Sequence, residues 1–290
     1  MEIKNVSFIG LGVMGYPMAG YLQKNKYEVT VFNRTILKAE KWSKEYGGKF
    51  STTLEETVKH SDAIFICVGK DEDLREVMDG TKGILENSKQ ETIIVDHTTA
   101  SADIAKEYAS KCLENNKFFL DAPISGGQAG AENGQLSIMV GGNKDAFNRV
   151  KSVLFSYGKA IELIGDSGTG QLTKMINQIC IVGLVQGLSE AMAFGKKSNL
   201  DMEKVLKVIS KGAAQSWQME NRYRTMLDGK FDYGFAVDWM RKDLSYCFNE
   251  AKKNNSKLPI TTIVDKYYKK IQESGGNRLD TSSLMTLVDK

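Results

Sequence analysis

One short stretch near the N-terminus constrains the fold more than any other. A β-rich run passes into a glycine-spaced turn that opens a helical pattern, Val6-Ser-Phe-Ile-Gly10-Leu-Gly12-Val-Met-Gly15-Tyr-Pro-Met-Ala-Gly-Tyr-Leu22. In a strand–turn–helix of this spacing, Gly10 permits the tight turn, Gly12 lets backbone approach a pyrophosphate, and Gly15 lets helix and strand pack closely. The helix N-terminus then turns its N–H groups toward the phosphates. A G-x-G-x-x-G alone also describes a tight turn without a ligand. The strand ahead of it and a second β-rich run in the expected place, Glu28 to Asn33, make dinucleotide binding the expectation. Gly10, Leu11, Gly12, Val13, Met14 and Gly15 are the expected cradle.

The same alternation continues. Short β-rich runs at Ala63 to Val68, Thr92 to Asp96, Phe118 to Ala122, Ile138 to Gly141 and Ile161 to Ile164 are separated by helical patterns. That rhythm predicts an α/β fold, a doubly wound, mostly parallel Rossmann sheet covered on both faces. Several of the runs are continuously apolar, as doubly buried parallel strands should be. After Gly165 the β-rich runs stop and long helical patterns take over, with Pro259 the one proline among them. The expected division is therefore 1–165, a Rossmann domain, and 166–290, an all-α domain for substrate binding and oligomerisation. The first helix of the second part should run from about Gln171 to Lys197. It is apolar nearly all round and is expected to be a buried central helix.

Composition narrows the class. The chain has 290 residues, 41% hydrophobic and 26% charged, enough for a sizeable core. Its formal net charge of +3, from 39 basic and 36 acidic residues spread along the chain, lacks the concentrated basic face of a nucleic-acid binder. Cys67, Cys112, Cys180 and Cys247 are far apart and read as buried free thiols of a reducing cytosol. No apolar run is read as reaching the roughly 20 residues of a membrane span, and Met1 leads directly into a strand, so a cytoplasmic location is expected. With His60 and His97 the only histidines, a histidine metal cluster is not expected.

Other positions carry candidate chemistry. The second run ends in Asn33-Arg34-Thr35, where an NAD enzyme would place an acid for the ribose 2′-hydroxyl. Arg34 can instead pair with a 2′-phosphate, with hydrogen bonds from Asn33 and Thr35, which favours NADP with NAD possible. Alternatively, Thr35 merely caps a helix followed by solvated charges. Val68, closing the next run, is placed with the cofactor residues. Thr99, in Asp96-His-Thr-Thr99, can serve the nicotinamide end or cap a helix near Ser101. Ser125-Gly126-Gly127 follows a strand end and exposes successive backbone N–H groups, a concavity suited to a carboxylate, or a glycine turn and nothing more. Lys174, Asn177 and Gln178, spaced i, i+3 and i+4, put an amine and two amides on one helix face. A partly buried lysine there can have a lowered pKa and act as general acid or base, while amides hold a substrate oxygen; the alternative is an ordinary first-turn lysine. In a later helix Lys242 can reach cofactor or substrate and Asp243 can orient a basic neighbour, but spacing alone favours a solvated charge cluster.

Taken together these residues resemble the β-hydroxyacid dehydrogenase family, including 3-hydroxyisobutyrate dehydrogenases and tartronate semialdehyde reductases. The likeness runs through Phe8 to Gly15, Asp121 to Gly127, Gly168 to Lys174 and Lys242-Asp243-Leu244, in the family's order. It implies reversible hydride transfer between a nicotinamide and a small 3-hydroxy acid or semialdehyde, in a dimer or tetramer. It also implies Lys174 as the catalytic lysine, Ser125, Gly126 and Gly127 as the substrate-carboxylate loop, Thr99 and Lys242 at the nicotinamide end, and Asn177 or Gln178 on the substrate hydroxyl. Asp96-His-Thr-Thr99 departs from the usual Asp-x-Ser-Thr, Gly69 replaces a frequent proline, and Gln178 a frequent asparagine.

Three alternatives stand beside this reading. Imine reductases of similar architecture usually replace the lysine, so Lys174 counts against one. A sugar-phosphate dehydrogenase should have a larger helical region. A non-catalytic NADP-binding protein does not need a proton donor and a carboxylate loop together.

Overall fold

The computed structural model describes residues 2–289. The chain divides into two compact units, Met1–Lys174 and Met175–Lys290, with the division inside the helix Thr169–Lys197.

Among the described residues of the first unit, nine strands form one sheet: β1 Asn5–Ile9, β2 Glu28–Phe32, β3 Lys49–Phe50, β4 Ala63–Ile66, β5 Ile93–Asp96, β6 Phe118–Asp121, β7 Ile124–Ser125, β8 Leu136–Gly142 and β9 Gly158–Gly165. The order begins β3-β2-β1-β4-β5-β6, all parallel; β8 then pairs antiparallel with β6 and β7 and parallel with β9. The chain order therefore reverses direction at β1, between β2 and β4, and ligands of open α/β sheets bind beyond the strand C-termini at such a point. The two-residue strands β3 and β7 escaped the sequence reading because so short a run carries no periodicity.

The alternation of side chains sorts the core into two layers. Phe8, Val31, Ala63, Phe65, Ile93 and Val95 pack on one face with Met18, Leu22 and Trp42. Ile9, Ile64, Ile66 and Ile94 pack on the other with Leu74, Ile104 and Tyr108. This double burial explains the continuously apolar strands.

The second unit is helical, with a core built from Leu188, Met192, Met202, Leu206, Met219, Met226, Phe231 and Met285. Three expectations need correction here. The helix Thr169–Lys197 is long and apolar enough to cross a membrane by length and composition, at a mean hydropathy of 1.3 over its most apolar window, of which 50% is buried in the protein. Nor is it buried all round: Ile176, Leu184 and Phe194 are exposed, because only part of its surface faces the core. Cys180 on the same helix is also exposed rather than a buried thiol, while Cys112 and Cys247 are buried.

Candidate active site

The glycine turn is held by long-range contacts as well as by its own sequence. Gly10 has φ +96°, and a Cβ there would sit 2.3 Å from the Cys67 carbonyl oxygen. A Cβ on Gly15 would sit 2.0 Å from the Gly10 carbonyl and 2.9 Å from the Phe8 ring. Neither position tolerates a side chain. A Cβ on Gly12, by contrast, meets nothing within 4 Å, so the turn is open on that side. This open backbone at the start of the helix Gly15–Lys24 fits a dinucleotide pyrophosphate.

Asn33 has a role its sequence position does not announce. Its Oδ1 accepts from Leu11 N at 2.9 Å and its Nδ2 donates to the Thr35 carbonyl at 3.0 Å, tying the end of β2 to the glycine turn. Thr35 is the N-cap of the helix Ile36–Tyr46, but its side chain makes no capping hydrogen bond. Arg34 is exposed and faces Asp73 and Glu76, at 3.8 and 3.6 Å. Val68 N donates to Thr98 Oγ1 at 3.1 Å, so Thr98 joins the ends of β4 and β5. The N-cap of the helix Ala102–Glu114 is Ser101, whose Oγ accepts from Ile104 N. Neither Thr98 nor Thr99 caps it.

His97 is structural. Its Nδ1 lies 2.6 Å from the Ala122 carbonyl oxygen, which can only accept, and its Nε2 lies 2.8 Å from the Tyr157 hydroxyl. The ring therefore carries its proton on Nδ1 and accepts at Nε2. Burial lowers its pKa to about 4, so it stays neutral. Beside it, burial raises the Asp96 carboxyl to about 7, with the charges of Asp121 and Asp71 adding to the rise.

Asp121 and Gln171 hold the start of the long helix. The Asp121 carboxylate accepts from Gly168 N at 2.7 Å and Gln171 N at 2.9 Å, and burial raises its pKa to about 6 against those bonds. Gln171 accepts from Ala100 N at 3.0 Å and donates to the Thr98 carbonyl at 2.7 Å. Lys174, one turn on and only 7% exposed, donates from Nζ to the Ile124 carbonyl at 2.8 Å. The amine is thereby set at β7, which ends at Ser125, and Gly126 and Gly127 follow with φ +134° and +60°. Asp121, Gln171, Lys174 and Ser125-Gly126-Gly127 are thus drawn together in the first unit. Of these, Asp121 and Gln171 were not singled out from the sequence, since their partners lie 47 to 73 residues away.

In the second unit, Gln178 is 1% exposed and donates to Asp243 Oδ2 at 2.6 Å, while its Oε1 accepts from Asn177 Nδ2 at 2.8 Å. Asp243 also pairs with Lys242 at 3.1 Å, and the Lys242 ammonium lies 5.5 Å from the ring centres of both Trp239 and Tyr246. Lys242 and Asp243 are therefore not a solvated cluster: Asp243 is 2% exposed. No group of three or more potential metal ligands occurs among the described residues.

A Rossmann sheet with an open glycine turn at its switch point, joined to a helical unit, defines a nicotinamide-dependent oxidoreductase. Residues 5–165 match the family model of the NAD-binding domain of 6-phosphogluconate dehydrogenase, and 168–288 that of the NAD-binding domain of NADP-dependent 3-hydroxyisobutyrate dehydrogenase. The chain is 55% identical over 285 residues to an uncharacterized oxidoreductase of Shewanella frigidimarina, covering 98% of each. It is 34% identical to the 2-hydroxy-3-oxopropionate reductase of Escherichia coli, covering 98% of this chain and 97% of that one. A crystal structure of 3-hydroxyisobutyrate dehydrogenase from Salmonella typhimurium superposes with a TM-score of 0.88 at 26% identity, covering 98% of this chain and 99% of that one. The chain belongs to the β-hydroxyacid dehydrogenase family, and its activity is that of an NAD(P)-dependent oxidoreductase.

Proposed function

We propose that the protein interconverts a small 3-hydroxy acid and its semialdehyde, using NADP(H) in preference to NAD(H), with Lys174 as the acid and base. The observation that carries this reading is the 2.8 Å bond from Lys174 Nζ to the Ile124 carbonyl, which seats an amine beside the Ser125-Gly126-Gly127 turn. A proton donor next to a backbone concavity suits a substrate with a carboxylate near its reacting oxygen. The bound nicotinamide supplies or takes the hydride. Lys174 gives a proton to the carbonyl oxygen during reduction and removes it from the hydroxyl during oxidation. Ser125, Gly126 and Gly127 hold the carboxylate, and Asn177 or Gln178 the hydroxyl. Gly10 to Gly15 cradle the pyrophosphate, Asn33, Arg34 and Thr35 the 2′-phosphate, and Val68, Thr99 and Lys242 the nicotinamide end.

The preference for NADP is supported by Arg34, whose exposed guanidinium stands where an NAD enzyme would carry an acid. Assembly into a homodimer or homotetramer is supported by the exposed Ile176, Leu184 and Phe194, which recur at helical spacing along one 29-residue helix.

The test is direct. Purified protein is mixed with NADP or NAD and a panel of small hydroxy acids, and absorbance of the reduced nicotinamide is followed. Turnover of 3-hydroxy acids, with esters and amides inert, is the expected result. Preferential reduction of imines with no hydroxy-acid activity would overturn it, as would cofactor binding without turnover of any panel member.

A further inference from the structure

We infer that Asp73 and Glu76 set how strongly this protein prefers a 2′-phosphorylated dinucleotide. The inference rests on the proposal that Arg34 receives the 2′-phosphate. Arg34 follows the C-terminal end of β2, and its Nη1 lies 3.8 Å from Asp73 Oδ1 and 3.6 Å from Glu76 Oε2. The two acids are three residues apart on the helix Asp71–Met78 and so share a face.

The other charges of that helix are engaged elsewhere. Asp71 accepts from Ser101 N at 2.9 Å and from Ser101 Oγ at 2.6 Å. Arg75 makes a two-pronged pair with Glu107, both contacts at 2.6 Å. Glu72 faces Lys70 at 3.5 Å. Asp73 and Glu76 are thus the helix's acidic offering to Arg34, one guanidinium against two carboxylates.

A phosphate monoester carries close to two negative charges at neutral pH, about −1.5 to −2. Docked on Arg34, it must share the guanidinium with both carboxylates and endure their repulsion. A neutral ribose hydroxyl meets no such penalty. Asp73 and Glu76 therefore weaken NADP selectively and keep NAD usable. The Arg34 side chain is 80% exposed, so solvent and salt screen the effect and hold it to a modest factor.

Isothermal titration of the apoprotein with NADP and with NAD tests this without turnover. For Asp73→Asn combined with Glu76→Gln, NADP should bind roughly 3- to 10-fold tighter at low salt, with NAD within about twofold of wild type. The gain should shrink at high salt, where the screening length falls to about 3 Å. Glu76→Gln alone, at a more exposed position, should show part of the gain. Unchanged NADP affinity, or equal tightening of both dinucleotides, overturns the inference. Arg34→Gln in the same titration separates the two layers. If it weakens NADP while the acid variants do nothing, only the role of Asp73 and Glu76 falls. If it leaves NADP unchanged, the assignment of Arg34 falls and takes this inference with it.

Discussion

Gln178 donates to the buried Asp243 carboxylate at 2.6 Å, and that bond sets the direction of two amides. A carboxylate only accepts, so Gln178 must turn its Oε1 to Asn177, whose Nδ2 donates to it at 2.8 Å; Asn177 then directs its Oδ1 away from Gln178. Asp243→Ala removes the acceptor of Gln178 and the counter-ion of Lys242 together. Breaking a buried pair by deleting one partner costs about 3–5 kcal/mol. The urea midpoint of the Ala variant should drop accordingly, while Asp243→Asn, which keeps an acceptor oxygen for Gln178, should lose less. Equal midpoints for wild type and Asp243→Ala would mean that this network does not hold the second unit.

Lys174→Ala should lower kcat by about 10²- to 10⁴-fold, the usual contribution of a positioned acid or base. NADP affinity should hardly move, since Lys174 Nζ is bonded at β7, to the Ile124 carbonyl, and the proposed cradle for the pyrophosphate is Gly10 to Gly15. Lys174→Arg should not restore turnover, because guanidinium does not give up its proton at accessible pH. Near-normal kcat in the Ala variant, with hydride transfer shown to limit the rate, would move the proton donor elsewhere, with Lys242 next to be tested.

Asp96 links stability to pH with a definite sign. Its pKa is raised by burial from 3.8 to about 7, so between these values the folded protein holds a proton that the unfolded chain releases. The stability it contributes is complete below the unfolded pKa and is lost as pH rises through about 7. Asp121, raised to about 6, acts in the same direction. His97 acts oppositely: its stability is present above 6.5 and lost as pH falls through about 4. Melting temperatures of wild type should therefore fall between about pH 4 and pH 7 relative to Asp96→Asn, whose amide oxygen can still accept from Thr98 N. Parallel curves for the two proteins would remove Asp96 from the linkage.

Gly126→Val should raise KM for the acid substrate while leaving NADP affinity near normal. At φ +134° the position admits glycine readily and a β-branched residue only with strain, and a Cβ would also press on Leu136 Cδ2 at 3.2 Å. Gly126→Ala, strained but smaller, should fall between. A variant that melts as wild type does yet binds substrate normally would show that the turn is not the carboxylate site.

Much of the first unit was readable in one dimension. The strand–glycine–helix start announces itself by its spacing, and the apolar runs of β4, β5 and β6 do so because burial on both faces of a parallel sheet demands unbroken apolar sequence. The helical second half declared itself by the end of those runs. Lys174, Asn177 and Gln178 were visible as polar groups at helical spacing in an apolar helix. That reading stops at the boundary of each local pattern: spacing alone favours a solvated cluster at Lys242 and Asp243, takes Cys180 for buried, and passes over β3 and β7.

The sequence by itself determined the layered α/β unit, the helical unit after it, and the residue types available for chemistry, because periodicity and glycine spacing are local properties that the chain carries wherever it folds. Only the tertiary structure decided what those residues bond to. Asn33 joins Leu11, Asp121 grips Gly168 and Gln171, His97 sits between Ala122 and Tyr157, and Asp243 takes Gln178, across separations of 22 to 65 residues. A buried donor or acceptor must find a partner, but which distant group satisfies it depends on strand order and helix packing.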